Sequence, residues 1–321
     1  MGTIRWGIIG CGDVTEVKSG PAFQKIENSQ LVAVMRRNGE LAADYARRHN
    51  VSKSYDDADK LINDPEVNAV YIATPPAFHK EYTLKCAKAG KPVYVEKPMA
   101  VTYKDCLEMI ETCQEHNVPL FVAYYRRALD YFIKVKEIVD DGVIGDVRFV
   151  NLVQYKMPES SDISSWRIKP EISGGGLFYD LAPHTLDILD FILGPIIKAE
   201  GNSSNQAKLY DAEDIVTAFF EFSSGVQGTG IWCFSAFKNF DVNEIVGSKG
   251  KISFSTFSYT PIVLETCSGT REYSFINPPH IQQPLIQSVV NELNSCGKSP
   301  SNGISAARTN WVMEEILKHR S

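Results

Sequence analysis

Between residues 1 and 123, short β-rich runs at Ile4 to Ile9, Leu31 to Met35, Ala69 to Ala73, Val93 to Val95 and Leu120 to Ala123 alternate with stretches of helical periodicity such as Cys106, Leu107, Ile110 and Cys113. Strands separated by helices build βαβ units, and these units assemble into a parallel sheet. Their crossovers are almost always right-handed, so the expected architecture is α/β, a doubly wound parallel sheet. Ligands of such sheets bind at the carboxyl ends of the strands, so the residues that follow each run are where chemistry is to be sought.

Past about residue 130 the pattern changes. A helical segment, Tyr131 to Val139, precedes alternating runs at Asp146 to Lys156, Glu213 to Phe222, Val226 to Ala236, Asn243 to Val246, Lys251 to Ser255 and Pro261 to Thr266. Turn signals such as Ser223-Ser224-Gly225 join them, which predicts a mainly antiparallel sheet in an α+β domain. Helical periodicity returns from Gln282 to Leu293 and from Ser305 to Lys318. The chain of 321 residues, 44% hydrophobic, is long enough for two cores. The expected division is a dinucleotide-binding domain over 1–123 and a substrate and assembly domain over 124–321. No Pro/Gly linker separates them, which predicts close packing around a cleft.

The net charge of -6 argues against a nucleic-acid partner. The seven cysteines are odd in number, widely spaced and without a CxxC pair, a pattern of reduced thiols rather than of a disulfide framework or a zinc site. No leader pattern and no membrane-length apolar run is evident, so the expectation is a cytoplasmic protein without a membrane partner.

The loop after the first run reads Ile8-Ile9-Gly10-Cys11-Gly12-Asp13-Val14-Thr15-Glu16. Glycines between a strand and a helix let the backbone approach a pyrophosphate, which makes Gly10, Cys11, Gly12, Asp13 and Val14 cofactor candidates. Thr15 stands where the usual fingerprint has its third glycine. Cys11 reads as a small loop residue rather than a nucleophile, because no basic neighbour is evident to lower its pKa.

The second run ends in Arg36-Arg37-Asn38, where an enzyme preferring NAD would carry an acid for the adenosine ribose. Planar, permanently charged guanidinia suit a 2'-phosphate, so the predicted cofactor is NADP(H) in preference to NAD(H). Thr74-Pro75-Pro76 forces an extended turn at the same sheet edge, which makes Thr74 and Pro75 further candidates. His79 either reaches the cofactor or opens the next helix. After Val93-Tyr94-Val95 come Glu96, Lys97 and Pro98, two opposite charges delivered to the ligand edge rather than to the core. The proline restricts Lys97 to extended backbone and is a candidate for a cis peptide.

Taken together, Gly10 to Thr15, Glu96-Lys97-Pro98, Ile144 to Arg148 (IGDVR) and Gly174 to Asp187 (GGGLFYDLAPHTLD) resemble the glucose-fructose oxidoreductase, inositol dehydrogenase and rhizopine catabolism (Gfo/Idh/MocA) family over essentially the full length. The stretch SSWRIKPEISGGG followed by Asp180 and His184 is most similar to its NADP-dependent sugar reductases of the 1,5-anhydro-D-fructose type. The resemblance implies a Rossmann domain, an open-faced sheet domain, and a last helix, about 304–319, that packs back on the first domain. It also implies a chemistry that works without metal.

Asp180 and His184 are four residues apart, hence on one helical face, where a histidine can pass a proton and an acid can orient it. With the resemblance, Lys97, His184 and Asp180 are the catalytic candidates. Lys97 and His184 are expected to donate hydrogen bonds to a substrate oxygen, and either could supply the proton. Trp166 and Arg167 are implied to reach the nicotinamide or the substrate, and Arg126 and Arg127 are further cofactor or cleft candidates. The expected substrate is a small sugar-like molecule; a trans-dihydrodiol, a nucleotide sugar and a non-catalytic cofactor-binding regulator stay open as alternatives. Finally, Gly228, Gly230, Trp232 and Phe234 alternate along Val226 to Ala236, and too few helices follow to cover both faces of that sheet. That face is expected to form a homodimer or a dimer of dimers.

Overall fold

A computed structural model describes residues 2–163 and 165–318. Ser164, which opens the SSWRIKPEISGGG stretch, and His319, at the expected end of the last helix, lie outside the described residues.

The first unit is built on β1 (Ile4–Ile9), β2 (Ser29–Met35), β3 (Lys53–Tyr55), β4 (Ala69–Ile72), β5 (Val93–Val95) and β6 (Leu120–Val122). All pair in parallel, in the order β3-β2-β1-β4-β5-β6. The direction of winding reverses between β1 and β4, which opens a crevice at their carboxyl ends. Central strands of such a sheet are buried on both faces, which is why they read as nearly unbroken apolar runs. The exception is β3, a short Lys-Ser-Tyr edge strand whose residues are half-buried or exposed.

Two apolar layers flank the sheet. On one face Trp6, Phe23, Tyr71 and Tyr94 pack with Leu285, Ile286, Val289 and Val290 of the helix Gln283–Leu293. Trp6 and Phe23 meet at 5.0 Å, and Tyr71 stacks on Tyr94 at 5.0 Å. The other face buries Val70, Ile72 and Val95 with Cys86, Met109 and Ala306. The first unit therefore comprises Met1–Ala128 and Asn277–Ala307, while Leu129–Ile276 and Arg308–Ser321 form the second. The expected boundary lies at residue 123, with only the last helix returning to the first domain. In the structure the helix Gln283–Leu293 also belongs there, and the last helix, Gly303–Ile316, is divided at Ala307.

The second unit carries β7 (Val147–Tyr155), β8 (Ile196–Ser204), β9 (Ile215–Phe222), β10 (Gln227–Cys233), β11 (Phe240–Gly247), β12 (Gly250–Phe254), β13 (Ile262–Thr266) and β14 (Gly269–Tyr273). Their order is β14-β13-β12-β11-β7-β10-β9-β8, antiparallel throughout except for the parallel pair of β7 and β10. β8 and β14 were not anticipated, because their sequences, IIKAEGNSS and GTREY, lack an apolar alternation.

The face of β10 expected to be uncovered is the covered one. Trp232 and Phe234 are both 0% exposed, and the Phe178 ring meets Trp232 edge-on at 5.0 Å. A Cβ at Gly228 would stand 2.1 Å from the Phe220 ring, and one at Gly230 would stand 2.7 Å from the Trp232 ring. The glycines are there because aromatic rings lie over them. The open face is the opposite one: it carries Phe149, Phe219 and Ile231, exposed by 47%, 43% and 45%. Val153 lies on that face between its partners Ile231 and Val242. Among the described residues no helix is long and apolar enough to cross a membrane.

Candidate active site

The carboxyl end of β1 turns at Gly10, whose φ of +90° favours glycine. The Gly10 and Cys11 amides both donate to the Met35 carbonyl at the end of β2, at 2.8 and 3.1 Å. Thr15 closes the loop: its hydroxyl donates to the Gly12 carbonyl at 2.7 Å and accepts from the Gly12 amide at 3.0 Å. The missing third glycine is thus replaced by a hydroxyl that ties the loop to itself. Outside Gly12 there is room, since a Cβ added there would meet nothing nearer than the Gly10 carbonyl oxygen at 3.8 Å. Asp13 and Val14 start the short helix Asp13–Val17, and first-turn amides have no acceptor within a helix. An open backbone and free donors fit a dinucleotide pyrophosphate. Burial pushes the Cys11 thiol up to about 11, against the pull of Arg36, so this thiol is no nucleophile at neutral pH.

Arg36 and Arg37 follow β2 and are both exposed. Arg37 lies over the Phe78 ring at 5.3 Å. Asn38 is not a ligand candidate but a helix cap, since its side chain accepts from the Leu41 amide at 3.1 Å. Thr74 and Pro75 sit half-buried at the end of β4. His79 is 0% exposed, with Nε2 2.7 Å from the Thr74 carbonyl and Nδ1 3.0 Å from that of Pro98. Its ring opens a helix and braces two loops, so of the two roles left open it fills the structural one, and its ring nitrogens face backbone rather than a ligand. Desolvation lowers its pKa, opposed by these carbonyls and by Glu96.

Glu96 corrects an expectation. Its side chain does not emerge beside Lys97 but is 8% exposed. Oε1 accepts from the Tyr71 hydroxyl at 2.5 Å and from Gln282 Nε2 at 2.6 Å, while Oε2 accepts from the Lys97 amide at 3.1 Å. Gln282 Oε1 in turn accepts from the Tyr94 hydroxyl at 2.8 Å. Lys97 is half-buried and its bond to Pro98 is cis. Because β1, β4 and β5 are neighbours, the glycine loop, Thr74-Pro75 and Lys97 all lie at one edge of the sheet. Arg126 is buried 4.9 Å from the Tyr125 ring, and Arg127 donates to the Pro300 carbonyl at 3.3 Å.

In the second unit, Asp180 and His184 lie on the helix Leu177–Leu193, which contains Pro183. The Gly176 amide before that helix donates to Glu213 Oε1 at 3.0 Å. His184 is buried and stands edge-on to Phe257 at 5.7 Å. Asp180 Oδ2 forms an ion pair with Arg167 Nε at 3.2 Å, and that guanidinium lies 4.8 Å from the Trp166 ring. The structure thus joins Trp166, Arg167 and Asp180 into one cluster, a link the sequence did not suggest. Gln282 and Tyr71 were missed altogether; no spacing signal relates them to Glu96. Among the described residues no group of three His, Cys, Asp or Glu is placed to hold a metal ion.

Residues 4–124 match the family described as GFO_IDH_MocA, oxidoreductase family, NAD-binding Rossmann fold, and residues 132–253 match the GFO/IDH/MocA C-terminal domain. The chain is 41% identical to oxidoreductase P35 of Formosa agariphila, over 97% of each chain. It is 31% identical to 1,5-anhydro-D-fructose reductase of Ensifer adhaerens, over 70% of this chain and 67% of that one. Its fold superposes with a TM-score of 0.88 on levoglucosan dehydrogenase solved with NADH and levoglucosan, at 22% identity, covering 98% and 96% of the two chains.

Proposed function

The chain belongs to the Gfo/Idh/MocA family of oxidoreductases, and from that premise we propose that it transfers hydride between NADP(H) and a carbon of a sugar or sugar-like polyol, reducing a ketone in one direction and oxidising a carbinol in the other. The observation that carries the reading is the single sheet edge holding an open glycine loop, two exposed arginines and Lys97. The nicotinamide, when bound, supplies or takes the hydride. Gly10 to Val14 hold the pyrophosphate, Gly10 and Gly12 by letting it approach the backbone and Asp13 and Val14 through their first-turn amides. Arg36 and Arg37 hold the 2'-phosphate, where an acid would repel it.

Lys97 donates to the substrate oxygen and stabilises the charge that grows there, and His184 is the second donor. Asp180 and Arg167 fix one another and Trp166, so this cluster orients substrate rather than moving the proton. For assembly, the open sheet face around Phe149, Phe219 and Ile231 is an apolar surface suited to a second copy of the chain, in a homodimer or a dimer of dimers. A relative supports the substrate class, since it is named for the reduction of 1,5-anhydro-D-fructose.

The test follows reduced nicotinamide by its near-ultraviolet absorbance. NADPH and NADH are offered with 1,5-anhydro-D-fructose, and NADP+ and NAD+ with levoglucosan and myo-inositol. The expected result is turnover with at least one sugar and a kcat/KM about tenfold or more higher with the phosphorylated cofactor. No turnover, or a preference for the unphosphorylated cofactor, overturns the respective half of the proposal.

A further inference from the structure

Glu96 is a carboxylate buried at the end of a sheet, where ionised groups are costly unless well bonded. The donors that hold it include three neutral ones: the Tyr71 hydroxyl, the Gln282 amide and the Lys97 peptide N–H. Replacing a buried ionic group together with its partners by packed apolar side chains is often neutral or stabilising, so fold stability alone is a poor reason for the whole set. Its location supplies another reason, since the residue whose amide it grips is Lys97.

From this geometry we infer that Gln282 is a positioning residue for Lys97, acting through Glu96. The Gln282 side chain is 1% exposed and spans two neighbours, accepting from Tyr94 Oη at 2.8 Å and donating to Glu96 Oε1 at 2.6 Å. Its own amide donates to the Lys18 carbonyl at 3.2 Å, which anchors the start of the helix Gln283–Leu293 beside the glycine-loop segment. Tyr94 is the residue of β5 two places before Glu96, so the glutamine fastens the end of the strand at two points. Tyr71 braces the same carboxylate from β4. With the carboxylate held from both sides, its second oxygen fixes the Lys97 amide at 3.1 Å and with it the root of the lysine side chain. Without the glutamine, the carboxylate loses a donor and is drawn toward water, carrying the lysine with it. A displacement on the order of 1 Å suffices to cost about two orders of magnitude in rate.

This inference rests on the reading of Lys97 as the group at the substrate oxygen, and the experiment separates the two. Gln282→Leu, Tyr71→Phe and Lys97→Ala are made singly, and Gln282→Leu also in the Lys97→Ala background. Each is assayed with NADPH and 1,5-anhydro-D-fructose and titrated with NADPH by fluorescence. The expected result for Gln282→Leu is a kcat lower by about 10- to 100-fold, with KM and NADPH affinity within about twofold of the parent. In the Lys97→Ala background the same change should add almost nothing, because the residue it positions is gone. A readout independent of turnover is reductive ¹³C-methylation of the lysines: the Lys97 resonance, identified by its absence from Lys97→Ala, should move in Gln282→Leu and in Tyr71→Phe, while those of distant lysines stay. An undiminished cost of Gln282→Leu without Lys97, or an unmoved Lys97 resonance, overturns the positioning role while leaving Lys97 in place. Normal turnover of Lys97→Ala overturns the reading beneath it and the inference together. No turnover of the parent with this sugar leaves the decision to the resonance.

Discussion

Arg48 grips Glu16 with both terminal nitrogens, at 2.8 and 2.7 Å, so the helix Gly39–Arg48 is tied to the segment that carries the glycine loop. His49 Nε2 adds a third contact to Glu16 at 2.7 Å, and Arg48 Nε reaches Asp44 at 2.7 Å. Chiefly through Arg48, the Glu16 carboxyl is held down at about 2 from an ordinary 4.5. A depressed carboxyl contributes stability above its unfolded value and loses it as pH falls through the folded one. Glu16→Gln should therefore lower the melting temperature at neutral pH, and the gap to the parent should close between about pH 4.5 and pH 2. Because the pair is part-exposed, added salt should shrink the effect. A gap independent of pH in thermal melts would show that the packing of Glu16, and not its charge, is what matters.

For Lys97→Ala the expected loss of turnover is about two to four orders of magnitude, the range for a positioned proton donor or oxyanion donor. NADPH should bind nearly as well as before, since the loop Gly10 to Val14 and the two arginines are untouched. His184→Ala should behave similarly. The double change should cost much less than the product of the singles if both groups serve one oxygen. Steady-state kinetics with parallel cofactor titration checks all three variants.

Replacing Arg36 and Arg37 together by glutamine should weaken NADPH binding by about 100-fold or more and NADH binding only slightly, because guanidinium-phosphate bonds exist only when the phosphate does. Fluorescence titration with both nucleotides decides. Equal losses would make the arginines a part of the general surface of the loop.

The open sheet face provides the fourth test. Ile231→Lys places a charge at the centre of the proposed interface, beside Val153, and should weaken self-association by about a hundredfold or more. Light scattering and sedimentation should then show a smaller species with unchanged far-ultraviolet dichroism. Trp232, one residue on, points to the covered face, so Trp232→Ala should instead lower the melting temperature.

What the sequence makes legible follows from how each signal arises. β1, β4 and β5 are buried on both faces, and such strands announce themselves as apolar runs. β3 and β14 are edge strands held mainly by backbone pairing, and Lys-Ser-Tyr or Gly-Thr-Arg-Glu-Tyr carries little trace of that. The two faces of β10 were exchanged for a related reason. Alternation separates the residues of a strand into two sets without saying which set is covered, and glycine suggests an open surface where it in fact marks the place where a ring lies. Lys97 could be placed because a local motif ends a strand. The Glu96 network could not, since Tyr71 and Gln282 reach it from 25 and 186 residues away.

The helix Gln283–Leu293 covers a sheet face laid down by the first strands of the chain. During synthesis, Trp6, Phe23 and Tyr94 therefore leave the ribosome long before the side chains that shield them. The nascent first unit must wait, with an oily face exposed, while residues 129–276 of the second unit are translated. A recombinant fragment ending at Ala128 should consequently be sticky and need a chaperone to stay in solution, whereas appending residues 277–307 through a short linker should restore a well-behaved nucleotide-binding protein.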